Sequence, residues 1–177
     1  MSVFKRPDDG EFPHRFGGEL PAGAVIPKGV ILHALLHIDT TKCAALEGLV
    51  TSTLPLIYPF RYDGGRIVYH WNDKNLTIDE LTPDEPDEEW PYEDFPDILP
   101  QSTMGSSAAF DVEREEFEEL LWQGVPGVSD DKVIVVVPPR EDYNVSLWGE
   151  YGDPEMVQCV FVFDPATGKV IAESQCS

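Results

Sequence analysis

The chain has 177 residues, of which 42% are hydrophobic, and its formal net charge at pH 7 is −21. The hydrophobic fraction is too high for a disordered chain and is enough for one packed domain, which we expect to span residues 1–177. The charge opposes approach to nucleic acid and anionic membranes, so direct nucleic-acid binding and membrane association are both disfavoured, and the expected partner is basic.

The cysteines indicate a reducing compartment. Cys43, Cys159 and Cys176 are odd in number and widely spaced, without the CxxC pairing used for zinc or redox work. The N-terminus has no apolar signal region, and no apolar run approaches the roughly 18 residues that a membrane span requires. We therefore expect a cytoplasmic protein.

The first part of the chain predicts an irregular arm followed by a buried strand. Residues 1–28 are rich in glycine and proline and contain only short apolar pieces. Residues 29–38, GVILHALLHI, have the length and apolar density of a central strand covered on both faces. Asp39 and the two threonines after it can cap a first helix that extends to Leu49 or Thr53.

Residues 55–71 predict a β-hairpin. Two aromatic and β-branched runs flank Asp63, Gly64 and Gly65, which readily supply the positive φ of a tight turn. Residues 76–81 predict a short third strand.

Residues 81–100, LTPDEPDEEWPYEDFPDILP, form a segment that we call the acidic loop. Four prolines between Pro83 and Pro96 exclude a regular helix or a central strand. Eight carboxylates lie between Asp84 and Asp97, and no lysine or arginine occurs from Asn75 through Glu113. The interleaved aromatic residues predict either anchors to the domain or contacts with a partner.

Residues 111–124, DVEREEFEELLWQG, predict a second helix with an apolar stripe and a glycine stop. Strands are predicted at residues 132–137, 145–151, 156–163 and 169–173. The strands follow one another as hairpins and not as βαβ units. The sequence therefore predicts a single α+β domain, a mostly antiparallel sheet of about six to eight strands with two helices packed on it.

The acidic loop and the second helix suggest a non-enzymatic function. A basic protein would be attracted by the carboxylates and held by the aromatic rings. We expect a bacterial immunity or inhibitor protein that masks a basic functional surface of a toxin or nuclease. The residues predicted to contact this partner are Asp84, Glu85, Asp87, Glu88, Glu89, Trp90, Tyr92, Glu93, Asp94, Phe95, Asp97, Glu115, Glu118 and Glu119.

Two alternatives stay open. His33 and His37 share one face of a strand or of a helix, and Asp39 joins them on a strand, so these three residues are the candidates for a metal site or a metal-dependent enzyme. The second alternative is a nucleic-acid mimic, whose carboxylates replace phosphates. Dinucleotide, P-loop and nucleophile motifs are missing, so no cofactor and no catalytic residue are predicted.

Several short segments resemble the YwqG-like family of bacterial proteins. They are residues 16–18 (FGG) with 20–21 (LP), 32–39, 54–55 (LP), 62–64 (YDG) and 147–152 (LWGEYG). The resemblance implies an α+β bacterial cytoplasmic protein of undetermined activity, and it carries no catalytic residues over to this chain.

Overall fold

A computed structural model describes residues 4–5, 13–43, 46, 49, 51–82, 85–87, 89–106, 129, 131–137, 147–148 and 157–176. Within this part of the chain the protein is nearly all β, and it contains no helix of seven or more residues. The prediction of an α+β domain with two helices packed on one sheet is therefore wrong. None of the helices described there is long and apolar enough to pass through a bilayer.

The strands in the described part of the chain form two sheets. One has five strands in the order β1-β8-β2-β4-β5, and the other has six in the order β3-β7-β6-β11-β10-β9. All pairings are antiparallel except that of β3 with β7. The strands are β1 (Phe4–Lys5), β2 (His14–Phe16), β3 (Ala24–Val25), β4 (His33–Asp39), β5 (Thr53–Tyr58), β6 (Arg66–Trp71), β7 (Leu76–Thr82), β8 (Ser102–Ser106), β9 (Val133–Val137), β10 (Val157–Asp164) and β11 (Lys169–Cys176).

The predicted hairpin at residues 55–71 is wrong, because its two strands enter different sheets. β5 pairs with β4, whereas β6 pairs with β7 and β11. The outer edge of β5 is instead covered by side chains of β6. The Tyr69 hydroxyl donates to the Pro55 carbonyl at 2.7 Å and accepts from the Ile57 N–H at 3.1 Å, and Trp71 Nε1 donates to the Thr53 carbonyl at 2.6 Å. The backbone groups at this edge of β5 have no neighbouring strand to pair with among the described strands. They form hydrogen bonds with side chains of β6 instead, and these bonds join the two sheets.

Where the first helix was predicted, the described residues include a 3-10 turn at Thr40–Lys42 and a further 3-10 residue at Leu46. Asp39 caps this turn as expected, since its carboxylate accepts the Thr41 N–H at 3.0 Å. The chain then returns to extended geometry at Cys43, whose φ is −124° and ψ is 109°. The second predicted helix, residues 111–124, and most of the predicted strand at 145–151 lie outside the described residues.

The predicted irregular arm contributes a strand to the middle of the first sheet, where β2 lies between β8 and β4. Gly17 and Gly18 follow this strand with φ of +64° and +88°. The Gly17 N–H donates to the Leu35 carbonyl at 3.0 Å, and the Gly18 N–H donates to the Leu99 carbonyl at 2.9 Å. A Cβ at Gly17 would lie 2.4 Å from the Pro100 oxygen, so the double glycine lets the arm approach the end of the acidic loop.

Candidate functional site: the acidic loop and the adjoining cleft

The acidic loop connects β7 to β8 and is held to the core by apolar side chains. Phe95 is 4% exposed and Leu99 is 1% exposed. The Phe95 ring centroid lies 5.2 Å from that of His33, 5.2 Å from that of Tyr92 and 6.0 Å from that of Phe60. These packed rings give the loop a defined position on the body of the protein.

Polar contacts hold the same loop at three further points. The Asp87 N–H donates to the Arg61 carbonyl at 2.8 Å, and the Arg61 guanidinium donates to the Tyr92 carbonyl at 3.2 Å. His33 Nε2 lies 3.0 Å from the Pro96 carbonyl oxygen. Although its prolines exclude regular structure, the described part of the loop is therefore bound to the domain from Asp87 to Leu99.

The described carboxylates of the loop point to solvent. Those that the structure describes are all exposed, and none forms a salt bridge with another described residue: Glu85, Asp87, Glu89, Glu93, Asp94 and Asp97. The other predicted contact acids lie outside the described residues: Asp84, Glu88, Glu115, Glu118 and Glu119. The loop thus presents a negative surface whose charges are not neutralised by neighbouring described cations.

The loop's aromatic residues divide into two groups. Phe95 is buried, so its ring serves as an anchor and is not available to a partner. Trp90 and Tyr92 are half-buried and keep part of their surface accessible. Of the three rings predicted to contact a partner, Phe95 is therefore an anchor, whereas Trp90 and Tyr92 are partly accessible.

The structure separates the two histidines of the predicted metal site. In the pairing of β4 with β5, His33 lies opposite Tyr58 and His37 lies opposite Pro55, an odd offset that puts the two imidazoles on opposite faces of β4. The cause is a bulge at Leu35, which inserts one extra residue between Ala34 and Leu36. His37 and Asp39 stay on one face. Among the residues with described positions, no group of three or more His, Cys, Asp or Glu side chains could hold a metal ion.

Both histidines are buried and neutral at pH 7. Burial lowers the pKa of His33 to about 4, and the Pro96 carbonyl opposes this shift. Burial, followed by the positive charge of Arg15, lowers the pKa of His37 to about 4. His33 belongs to the anchor of the acidic loop, whereas His37 faces a cleft.

This cleft has a volume of about 1010 Å³ and lies beside the C-terminal end of the acidic loop. Its polar wall includes Arg15 and His37, and its apolar wall includes Leu20, Trp71 and Ile98. A second depression of about 440 Å³ shares Arg15 and His37 with it. The two side chains therefore lie where the depressions adjoin.

Sequence reasoning missed Arg15. This residue occupies the middle of the short strand β2, directly opposite His37 of β4. Its side chain Nε and His37 Nε2 are buried and have no hydrogen-bond partner among the described residues. No local pattern indicated this pair, because the strand's three residues are too few to show an alternation.

Comparisons with protein-family models, with curated proteins and with solved structures find no match for this chain. The similarity to the YwqG-like family consequently stays a prediction.

Proposed function

We propose that this chain is a non-enzymatic binding protein of the immunity or inhibitor type, whose acidic loop covers a cationic surface of a toxin or nuclease. One observation carries the proposal. The loop is held to the core by Phe95 and Leu99, while its described carboxylates are exposed and form no salt bridge with another described residue. A negative surface that is already ordered binds with a smaller loss of conformational entropy than a flexible acidic tail.

The proposed mechanism has an electrostatic step and a contact step. The net charge of −21 accelerates encounter with a basic protein, and this acceleration weakens as salt screens the charges. The accessible parts of Trp90 and Tyr92 then contact apolar stems or stack against arginine side chains of the partner. Removing loop charges should therefore slow association, and removing the Trp90 ring should speed dissociation.

We further propose that the protein acts in the cytoplasm. No disulfide joins Cys43, Cys159 and Cys176, and the third is exposed. Exposed cysteines outside disulfides are common in reducing compartments and are usually paired in oxidising ones.

The test measures binding kinetics across a range of salt concentrations. The immobilised chain first captures a basic protein from a lysate of the cells that naturally produce the chain. The captured protein is then purified, and its binding to the chain is measured by surface plasmon resonance. In the loop variant, Glu93→Gln, Asp94→Asn and Asp97→Asn are combined. We expect the association rate at low salt to fall by roughly tenfold, because rim charges act mainly on encounter.

A control removes three carboxylate charges from exposed positions outside the loop, by combining Asp63→Asn, Asp79→Asn and Asp131→Asn, of which Asp79 pairs with His70 and Asp131 with Lys132. We expect this control to change the association rate by less than about twofold. Equal effects of the two triple variants, or an affinity that does not depend on salt, would remove the acidic loop from the proposed mechanism.

A further inference from the structure

Two polar atoms in the cleft lack the partners that buried polar atoms normally have. His37 is 8% exposed, and its Nε2 makes no hydrogen bond among the described residues. The Nε of Arg15, on the neighbouring strand, is also buried without such a bond. An unsatisfied buried donor or acceptor costs about 1–3 kcal/mol, so a native structure normally supplies a partner, which can be a water molecule or a ligand.

The charge of Arg15 favours an anion as that partner. The chain contains 33 acidic and 12 basic side chains, yet Arg15 forms no salt bridge with any described residue. A partly buried guanidinium is normally paired, and its fork of donors matches a carboxylate or a phosphate. Gly18 lies beside this site, where a Cβ would be 3.7 Å from Arg15 Nε. The side chain of Gln101 adjoins the same space, with its Oε1 3.3 Å from that Cβ position.

Other charged groups line the cleft without neutralising Arg15. The Asp73 carboxylate accepts the Ser52 N–H at 3.0 and 3.1 Å. Asp39 lines the smaller depression, where its carboxylate accepts the Thr41 N–H and hydroxyl. Glu19 is exposed at the rim, and Lys74 adds a second cation to the lining.

The remaining surface and His37 define the rest of the ligand. Leu20, Trp71 and Ile98 form an apolar wall suited to a hydrocarbon or aromatic body. Because the His37 ring is neutral at pH 7, one of its nitrogens is an acceptor that needs a hydroxyl or another donor.

We infer that the cleft binds a small organic oxyanion whose anionic group pairs with Arg15: either a hydroxycarboxylate, whose hydroxyl donates to His37, or a phosphate monoester bound as its monoanion, whose P–OH donates to His37. The inference is independent of the acidic loop's proposed docking function. It requires only that Arg15 and His37 face a common ligand.

Calorimetric titration of the full chain with defined probes tests the site. Mandelate carries a carboxylate, an adjacent hydroxyl and a phenyl body, and phenyl phosphate represents the phosphate monoesters. Phenylacetate lacks the hydroxyl, and mandelamide lacks the charge. We expect saturable binding of mandelate or phenyl phosphate. If the hydroxycarboxylate is preferred, mandelamide should bind at least about tenfold more weakly than mandelate, and phenylacetate about fivefold more weakly than mandelate. A shift of the His37 ring nitrogen resonance should accompany binding.

Arg15→Gln tests the anion contact, and Arg66→Gln is its matched control, since Arg66 lies on β6 and is paired with Glu80. We expect Arg15→Gln to weaken binding of the preferred probe by at least about tenfold, and Arg66→Gln to leave it unchanged. Should Arg15→Gln fail to fold, the probe series on the unmodified chain still decides the matter.

Three results would overturn the inference. Absence of saturable binding for both mandelate and phenyl phosphate would mean that water alone satisfies the two nitrogens. Equal weakening by the two arginine variants would indicate a diffuse charge effect. Equal affinities for mandelate and phenylacetate, without a shift at His37, would remove the histidine from the site.

Discussion

Phe95→Ala removes the main apolar anchor of the acidic loop. The ring is 4% exposed and contacts the rings of His33, Tyr92 and Phe60, so the variant loses almost the whole burial energy of a phenylalanine and leaves a cavity. Substitutions of this kind cost about 3–5 kcal/mol, and we expect about 4 kcal/mol here because three aromatic contacts are lost together. For a chain of this size the melting temperature should fall by roughly 10 °C.

Urea unfolding followed by tryptophan fluorescence measures the free energy, and hydrogen exchange locates the change. The Asp87 amide donates to the Arg61 carbonyl and the Phe95 amide donates to the Tyr92 carbonyl. Both amides should lose protection against exchange, whereas the amides of β10 and β11 should keep it. Ile98→Ala is the matched control, since Ile98 lies in the same loop but is 54% exposed, and it should cost less than about 0.5 kcal/mol. Equal costs for the two variants, or a fully protected loop in Phe95→Ala, would refute the assignment of Phe95 as the anchor.

Tyr69→Phe should lower the free energy of unfolding by about 2–3 kcal/mol in urea titrations, because two backbone groups of β5 lose their buried partner. Gly17→Ala should cost more than Gly64→Ala by the same measurement, since both have positive φ but only the first Cβ meets a backbone oxygen. Stability should also fall by about 3 kcal/mol between pH 6.5 and about pH 5. Below the unfolded pKa of 6.5 the unfolded chain binds protons that His33 and His37 do not take up in the folded state, where their pKa is about 4.

Each of these predictions has its own control. Tyr62→Phe removes one bond, to the Ile31 N–H at 3.3 Å, and should cost only about 1 kcal/mol. If it costs as much as the Tyr69 variant, the sheet-joining role of Tyr69 is wrong. Equal costs for the two glycine variants would argue against the close approach at Gly17. The pH dependence is checked with His33→Gln, which should remove about half of the slope, and an unchanged slope would contradict the neutral buried state of His33.

Turns and strands encoded by neighbouring residues could be predicted. The segments 156–163 and 169–173 were expected as strands joined by a turn, and β10 and β11 form that hairpin. Asp164 accepts the Ala166 N–H at 2.9 Å, and Gly168 has a φ of +74°. These features depend on turn chemistry within five residues, so they are visible without tertiary information.

Partners between distant segments could not be predicted. The turn residues at 63–65 suited a hairpin, but the chain crosses there from one sheet to the other, and β5 is instead paired with β4. The bulge at Leu35 has a similar effect on the candidate site. A one-residue insertion reverses the face of each later residue, so it separated His33 from His37 and directed His37 toward Arg15.

The sequence by itself determined the negative charge, the proline-rich acidic loop and the positions of most strands, because composition, proline geometry and alternation are properties of the local chain. The tertiary structure decided that Phe95 faces inward, that the predicted hairpin divides between two sheets and that Arg15 meets His37 in a cleft. Each of these outcomes depends on which distant surfaces bury one another, since packing free energy is shared among residues far apart in the chain.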